Sequence, residues 1–360
     1  EIDGFPKGSD EDIIALSQPP YYTACPNPYI KEFIEKLGKP YNEDTDNYFR
    51  EPFISDVSEG KNDAVYNAHS YHTKIPYKAI HQYIDHFTSE NDIVLDGFSG
   101  TGSTGFSAAS LNRHCILNDL GPSASLISFG YNKPKTSSID LKQEFDRIYR
   151  EVENEVNWMF QTDYGTKKGV IQNTILSDVF ICKFCETEYV FSDYAVDFTE
   201  KTIKSKYKCK ECNADISKAD SETSFEDMFD NTINSNIKIA KKAIVVIQGT
   251  IGTKRFEKKA DESDLKLLEK IENLSIPYWY PSDRMPEGDE SRRNDSSGYT
   301  HVHHFFTKRN LYALACIYDK IIKSKFSSDL LYVFQSCIQR ATITNRFRFG
   351  GTGGLSGTLY

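Results

Sequence analysis

Residues 92–105 read Asp92-Ile-Val-Leu-Asp96-Gly-Phe98-Ser-Gly100-Thr-Gly102-Ser-Thr-Gly105, and they are the most informative part of the sequence about the fold. Ile93-Val-Leu95 is an apolar run without polar alternation, which predicts a parallel strand covered on both faces. An acid, a glycine-rich turn and a helical segment of small residues follow, and a second apolar strand, Cys115-Ile-Leu117, leads to Asn118-Asp119. The order predicts the first half of a nucleotide-type βαβ unit.

The residues of the turn indicate a ligand with a ribose. Glycines let backbone approach a ligand, and a helix N-terminus favours anionic groups. The acid after the second strand, Asp119, suits ribose hydroxyls. The spacing Gly100-Thr-Gly102 lacks the third glycine of a dinucleotide site, and the strand carries no G-x-x-x-x-G-K-[ST] phosphate loop. Because a lone G-x-G is weak evidence, another nucleotide-dependent enzyme on a Rossmann-like fold stays open.

The turn resembles the D-P-F-x-G-S/T-G-T-T turn of the amino-methyltransferases that modify exocyclic amines in DNA, with Gly97 in place of the proline. Upstream, Ser70-Tyr-His72-Thr73-Lys74-Ile-Pro76 resembles the H-x-T-x-K-P segment of that family, which closes over the methionine end of the cofactor. The resemblance implies S-adenosyl-L-methionine as cofactor. It also implies a set of cofactor-binding residues: Thr73, Lys74, Asp96, Gly97, Phe98, Gly100, Gly102 and Asp119.

Two C-x-x-C pairs, Cys182/Cys185 and Cys209/Cys212, are separated by 23 residues. Two such knuckles supply four sulfurs in a tetrahedron, which suits Zn²⁺, and four cysteine ligands leave no open position for catalysis. The spacing therefore predicts a structural zinc ribbon over 177–216. A redox or disulfide pair is the alternative.

Composition sets limits on compartment and partners. The 360 residues suggest two domains with an insertion, and the eight cysteines do not form a dense secreted framework, so a cytoplasmic setting is expected. No apolar run is long enough to span a bilayer, and no signal peptide is evident at the start. The formal charge of −9 does not indicate a nucleic-acid binder. Basic stretches exist at Lys201–Lys210 and at Arg340, Arg346 and Arg348, as solvated faces or as nucleic-acid contacts.

Two further segments need an interpretation. Gln18-Pro19-Pro20-Tyr21 resembles the D/N/S-P-P-Y/F/W tetrapeptide that grips the target amine, but Gln18 is not an acid, asparagine or serine. A structural arm is therefore favoured there over a catalytic segment. His301 and His303 would lie on one face of an extended segment, yet the sequence shows no acid or cysteine partner. Histidines whose ring nitrogens have hydrogen-bond partners, or whose rings stack, are favoured over metal ligands.

Taken together, the chain from Pro19 onward resembles the N-terminal part of large bacterial site-specific DNA methyltransferases, mostly adenine-specific, of restriction-modification or phage-defence systems. The resemblance implies a Rossmann-like α/β methyltransferase fold with an inserted zinc ribbon, double-stranded DNA as substrate, and defence-system subunits as partners. The expected domains are an arm (1–69), the cofactor part (70–176), the ribbon (177–216) and a mixed segment (217–360).

No D-P-P-Y/F tetrapeptide follows Asp119. We therefore expect a fragment that carries the cofactor half, or an unusual catalytic segment, and the catalytic residue stays unidentified. A non-catalytic nucleic-acid-binding module built on the zinc ribbon is the remaining alternative.

Overall fold

The computed structural model describes residues 30–38, 41–71, 73–133, 136–345, 347 and 349. The chain divides into two compact units, Glu1–Ser137 and Ser138–Tyr360. Within the described ranges, no helix has both the length and the apolarity needed to cross a membrane. Several residues singled out from the sequence lie outside the described ones: the segment 17–21, Cys25, His72, Arg346 and Arg348.

Among its described residues, the first unit contains a parallel strand pair and five helices. The strands are β1 (Ile93–Asp96) and β2 (His114–Leu117), paired in parallel from Ile93 opposite His114 to Asp96 opposite Leu117. The helices are α1 (Ile30–Leu37), α2 (Ala64–Asn67), α3 (Tyr77–Phe87), α4 (Ser103–Ser110) and α5 (Pro122–Asn132). Because α4 joins the two strands, the predicted strand–helix–strand order is confirmed.

Small residues let the helices of this unit approach closely. Ala108 of α4 and Ala124 of α5 are fully buried, and the buried Ser107 hydroxyl donates to the carbonyl of Tyr77 at 2.7 Å. The strand itself is covered less than the sequence predicts. Leu95 is 71% exposed, so the expectation that β1 is covered on both faces is wrong on the side that carries Leu95.

The second unit combines an antiparallel sheet with a helical layer. Its helices are α6 (Ser138–Val156), α7 (Phe191–Ala195), α8 (Glu262–Glu272), α9 (Asp289–Asp295), α10 (Lys308–Ile322) and α11 (Ser327–Ile338). Its strands are β3 (Gln161–Tyr164), β4 (Lys167–Cys182), β5 (Glu188–Val190), β6 (Val196–Asp197), β7 (Thr202–Ile203), β8 (Lys206–Lys208), β9 (Asp215–Ser217), β10 (Ser221–Thr223), β11 (Phe225–Asp230), β12 (Ser235–Ala240), β13 (Lys242–Ile251) and β14 (Lys254–Lys259). The largest sheet has the order β10-β4-β13-β14, with β3 and β5 also paired to β4.

The long strand β4 organises the second unit. It runs without interruption from the sheet into the first cysteine knuckle at Cys182. The predicted boundary at 176/177 therefore falls inside one strand, and residues 138–176 belong to the second unit rather than to the cofactor part. After the knuckles the chain continues as sheet through β12 and β13, and a helical turn that starts at Phe191 follows β5.

The core of the second unit lies among its helices. Ile148, Val152 and Val156 of α6 recur at helical spacing and pack with Ile271 of α8 and Cys316 of α10. Burial of aliphatic side chains of this size contributes about 1.5–3 kcal/mol each. A separate cluster of aromatic residues and cysteines lies around the knuckles, with Tyr189, Tyr207 and Ile216 buried in it.

Candidate functional site

The glycine turn begins at Asp96, which ends β1. One carboxylate oxygen, Oδ1, accepts the backbone N–H of Phe98 at 3.0 Å, and the other, Oδ2, accepts the hydroxyl of Thr104 at 2.5 Å. Asp96 thus links the end of the strand to the first turn of α4. Phe98 lies in the turn and is 94% exposed, which leaves its ring free to contact a ligand.

Asp119 lies across the turn, after β2. Its Oδ2 accepts the N–H of Gly100 at 2.7 Å, and its Oδ1 accepts the N–H of Gly121 at 2.9 Å. Each carboxylate oxygen can accept a second hydrogen bond. The structure therefore brings Asp119 to the turn that carries Gly100 and leaves it capacity to accept hydroxyl groups of a ligand.

The glycines of the turn serve different neighbours. Gly102 has φ +75°, and a Cβ there would lie 2.5 Å from Ser128 Oγ and 2.6 Å from Asn132 Nδ2. Its missing side chain makes room for α5, and Asn132 also donates to its carbonyl oxygen at 3.1 Å. Gly97, in contrast, has nothing within 4 Å of an added Cβ. The packing that requires Gly102 is thus an internal helix contact.

Lys74 is enclosed by oxygen atoms of its own unit. Its ammonium donates to the carbonyls of Tyr66 (2.6 Å), Val65 (3.3 Å) and His69 (3.3 Å), and to the hydroxyl of Tyr131 (3.2 Å). Four acceptors exceed the three N–H donors of an ammonium group. Burial lowers the pKa of Lys74, although Asp63 opposes the shift. Lys74 therefore anchors the segment 65–74 to α5, whereas Thr73, with φ 55°, is exposed beside it.

Tyr71 is a residue of this site that the sequence reasoning missed. Its ring contacts Gly100, since a Cβ on Gly100 would lie 3.2 Å from Tyr71 Cε1. Burial raises the pKa of Tyr71, and the negative charge of Asp119 raises it further. The available signal was its position inside the segment 70–76, next to His72, but only the residues that match the family pattern were singled out there.

The four predicted cysteine ligands come together in the second unit. Cys182 Sγ lies 4.0 Å from Cys212 Sγ, and Cys185 Sγ lies 3.7 Å from Cys209 Sγ. Ligands about 2.3 Å from a central zinc in a tetrahedron lie about 3.8 Å apart. The spacing of the sulfurs thus fits a tetrahedral zinc site.

The two knuckles have the same backbone. In the first, the N–H of Glu186 donates to the carbonyl of Cys182 at 2.8 Å, and in the second, Asn213 donates to Cys209 at 3.0 Å. Glu186 and Asn213 both have positive φ, 58° and 60°. This repetition indicates two equivalent turns facing one site.

Asp230 is the acid that the histidine segment lacked in sequence. Its Oδ2 lies 2.7 Å from His303 Nε2 and 2.9 Å from His304 Nε2, and all three side chains are buried. The sequence placed His301 and His303 together and showed no acid partner. The structure instead pairs His303 with His304 on Asp230, so the expectation that an acid partner is missing is wrong.

The contacts of His304 fix the position of its ring proton. His304 Nδ1 accepts the backbone N–H groups of Thr300 (3.3 Å) and His301 (3.4 Å), so its proton lies on Nε2 and points to Asp230. Burial opposes ionisation of Asp230, but hydrogen bonds from His303 and His304 outweigh it and hold its pKa well below the usual range. Nitrogen and oxygen ligands about 2.0–2.1 Å from a metal in a tetrahedron lie about 3.3 Å apart. The shorter contacts here fit a hydrogen-bonded cluster.

Comparison with known proteins bears on the first unit. Residues 4–129 match the model of the N6/N4 DNA methylase family. The match includes the glycine turn, Asp119 and the segment 70–76, and it supports a DNA amino-methyltransferase, with S-adenosylmethionine as the implied cofactor and DNA as the implied substrate. Residues 130–360 lie outside it. Neither the curated proteins nor the solved structures contain a significant match to the chain.

Proposed function

We propose that this chain is the cofactor-binding part of an S-adenosylmethionine-dependent DNA methyltransferase that modifies the exocyclic amine of adenine. The observation that carries the proposal is the contact between Asp119 and the N–H of Gly100, inside the stretch that matches the DNA methylase family. The contact holds Asp119, which suits ribose hydroxyls, against the glycine turn, which suits the rest of a nucleoside.

Each residue of the proposed site has its own role. Asp119 accepts the ribose hydroxyls, while Asp96 keeps the turn in shape through Phe98 N–H and the Thr104 hydroxyl. The exposed ring of Phe98 lines the pocket beside them. S-adenosylmethionine, when bound, supplies a methyl group activated by its sulfonium. The target amine is a poor nucleophile, so the reaction depends on orienting it in line with that methyl group.

The residues that would hold the target base in DNA are not identified. The target base must leave the duplex, and a polar residue and an aromatic ring must hold it. No acid-, asparagine- or serine-Pro-Pro-aromatic tetrapeptide follows Asp119 in the sequence. The residue that grips the amine therefore stays unidentified. Adenine N6 is favoured over cytosine N4, and a restriction-modification or phage-defence system is favoured as the setting, because of the resemblance to the large bacterial enzymes.

We also propose that the four cysteines hold one structural Zn²⁺. The sulfur spacings of 3.7 and 4.0 Å support this, and four thiolate ligands leave no position for a substrate. Two other functions remain as competitors: a different nucleotide-dependent enzyme, and a zinc-ribbon module that binds nucleic acid without catalysis. Both predict that the protein does not bind S-adenosylmethionine in preference to other nucleotides.

Titration calorimetry with S-adenosylhomocysteine, NAD and ATP tests the proposal. We expect S-adenosylhomocysteine to bind and the other two to bind far more weakly. Asp119→Ala should weaken binding by about 1–3 kcal/mol, because it removes a charged acceptor. Asp56→Ala is the matched control, since it removes the same charge from an exposed position. Equal binding of the three nucleotides, or unchanged affinity in Asp119→Ala, would reject the assignment.

A further inference from the structure

One edge of the Tyr71 ring, including the carbon that bears the hydroxyl, lies against the glycine turn. A Cβ on Gly100 would be 3.2 Å from Cε1, 3.8 Å from Cδ1 and 3.9 Å from Cζ of that ring. The N–H of the same glycine donates to Asp119 Oδ2 at 2.7 Å. Tyr71, Gly100 and Asp119 therefore form one continuous group of contacts, which we call the Tyr71 group.

Burial and the charge of Asp119 both favour the protonated form of the Tyr71 hydroxyl. Burial raises the pKa of Tyr71, and the carboxylate of Asp119 raises it further. The hydroxyl therefore stays protonated at neutral pH and can donate a hydrogen bond. Asp119 is an acceptor whose two oxygens already bind Gly100 N–H and Gly121 N–H. A donor and an acceptor thus lie near each other at the turn.

The position of Tyr71 is fixed from the side of Lys74. Three residues later in the chain, the Lys74 ammonium is bonded to the carbonyls of Val65, Tyr66 and His69 and to the Tyr131 hydroxyl. Tyr131 in turn donates to the carbonyl of Val65 at 2.6 Å. These bonds anchor the chain three residues after Tyr71, and the Tyr71 ring itself packs against Gly100.

We propose that Tyr71 is a cofactor-contacting residue that makes the site selective for a nucleoside with free ribose hydroxyls. This inference rests on the proposed cofactor site and deepens it. The ring covers the sugar at Gly100, and the Tyr71 hydroxyl and the Asp119 carboxylate share hydrogen bonds with the ribose. A nucleoside without the ribose hydroxyl leaves the Tyr71 donor unused, so it should bind more weakly.

The test compares two ligands in three proteins. Calorimetry measures the Kd of S-adenosylhomocysteine and of its 2′-deoxy analogue in the wild type, in Tyr71→Phe and in Tyr71→Ala. Tyr71→Phe keeps the ring, so its effect reports the hydroxyl alone. Tyr83→Phe is the matched control, because Tyr83 is 46% exposed on α3 and its ring packs on Phe53 with centroids 4.5 Å apart.

We expect Tyr71→Phe to raise the Kd of S-adenosylhomocysteine about three- to tenfold, the range of one neutral hydrogen bond, and to leave the Kd of the deoxy analogue unchanged. Tyr71→Ala should raise both Kd values, and Tyr83→Phe should change neither. Thermal unfolding of each variant checks that the fold is kept.

The outcomes separate the two proposals. If the wild type does not bind S-adenosylhomocysteine, the proposed cofactor site is wrong. If the wild type binds it and both Tyr71 variants bind equally well, the role of Tyr71 is overturned while the cofactor site stands. An equal loss of both ligands in Tyr71→Phe would also overturn the selectivity for ribose hydroxyls.

Discussion

The Lys74 ammonium lies 3.2 Å from the Tyr131 hydroxyl, and this contact ties the segment before the glycine turn to helix α5. The resemblance to the methyltransferases assigned Lys74 to the methionine end of the cofactor. In the structure its N–H donors are directed to three carbonyls and the Tyr131 hydroxyl. These bonds indicate an anchoring role, and cofactor binding by Lys74 stays a prediction.

The first prediction tests this anchoring role. Lys74→Met should destabilise the first unit by about 1–3 kcal/mol, because it leaves partly buried carbonyls without a donor. Lys78→Met is the control, since Lys78 is 52% exposed and its pair with Asp63 at 3.3 Å is a surface ion pair, which contributes little to stability. Denaturant unfolding measures both. A Lys74→Met protein of normal stability that no longer binds S-adenosylhomocysteine would return Lys74 to the cofactor.

The second prediction concerns Gly102. Gly102→Ala should destabilise the first unit by about 1–3 kcal/mol or more, because its Cβ would lie 2.9 Å from Ser128 Cα and φ is +75°. Gly97→Ala is the matched control. Nothing lies within 4 Å of its added Cβ, so a change within about 0.5 kcal/mol is expected. Equal stability of the two variants in denaturant unfolding would contradict the packing role of Gly102.

The features that the sequence predicted correctly are those encoded by the spacing of residues within a motif. The strand before Asp96, the placement of Asp119 at the turn and the convergence of four cysteines follow from spacing within short segments. The contacts that the sequence could not supply join distant positions. Asp230 meets His303 across 73 residues, and Lys74 meets Tyr131 across 57. Periodicity carries no information about such pairs, because they depend on how packed elements bring side chains together.

The third prediction is the metal content. We expect one Zn²⁺ per chain by elemental analysis of protein purified without chelator. Cys209→Ser should remove it, whereas His303→Ala should leave it unchanged, because the short contacts of Asp230 fit hydrogen bonds rather than a second metal. Chelation should expose the ribbon to protease, since metal binding and folding are coupled in small modules. Two zinc ions per chain, with one lost in His303→Ala, would show that the histidine cluster binds metal.

The fourth prediction is the pH dependence of the second unit. Burial lowers the pKa of His303 below its ordinary value of about 6.5, despite the hydrogen bond to Asp230. Protonation therefore favours the unfolded chain, so the free energy of unfolding should fall as pH decreases below about 6.5. The lowered pKa of Asp230 adds a second loss as pH falls below about 3.9. Denaturant unfolding between pH 5 and 8 should show a smaller pH dependence in His303→Gln, and an identical slope would contradict this account.

The last prediction is catalytic, and it concerns the Pro-Pro-Tyr segment. The family match spans residues 4–129, so it includes Gln18-Pro-Pro-Tyr21 as well as the glycine turn. Gln18 replaces the acid, asparagine or serine expected before the two prolines. No tetrapeptide of the expected pattern follows Asp119. We expect this chain to bind S-adenosylmethionine without transferring its methyl group to DNA, because the target amine is not held. Labelled S-adenosylmethionine and mixed genomic DNA measure the transfer, and nucleoside analysis separates N6-methyladenine from N4-methylcytosine. Incorporation that is lost in Tyr21→Ala and kept in Tyr22→Ala would contradict this expectation and assign the amine-gripping role to the segment 18–21.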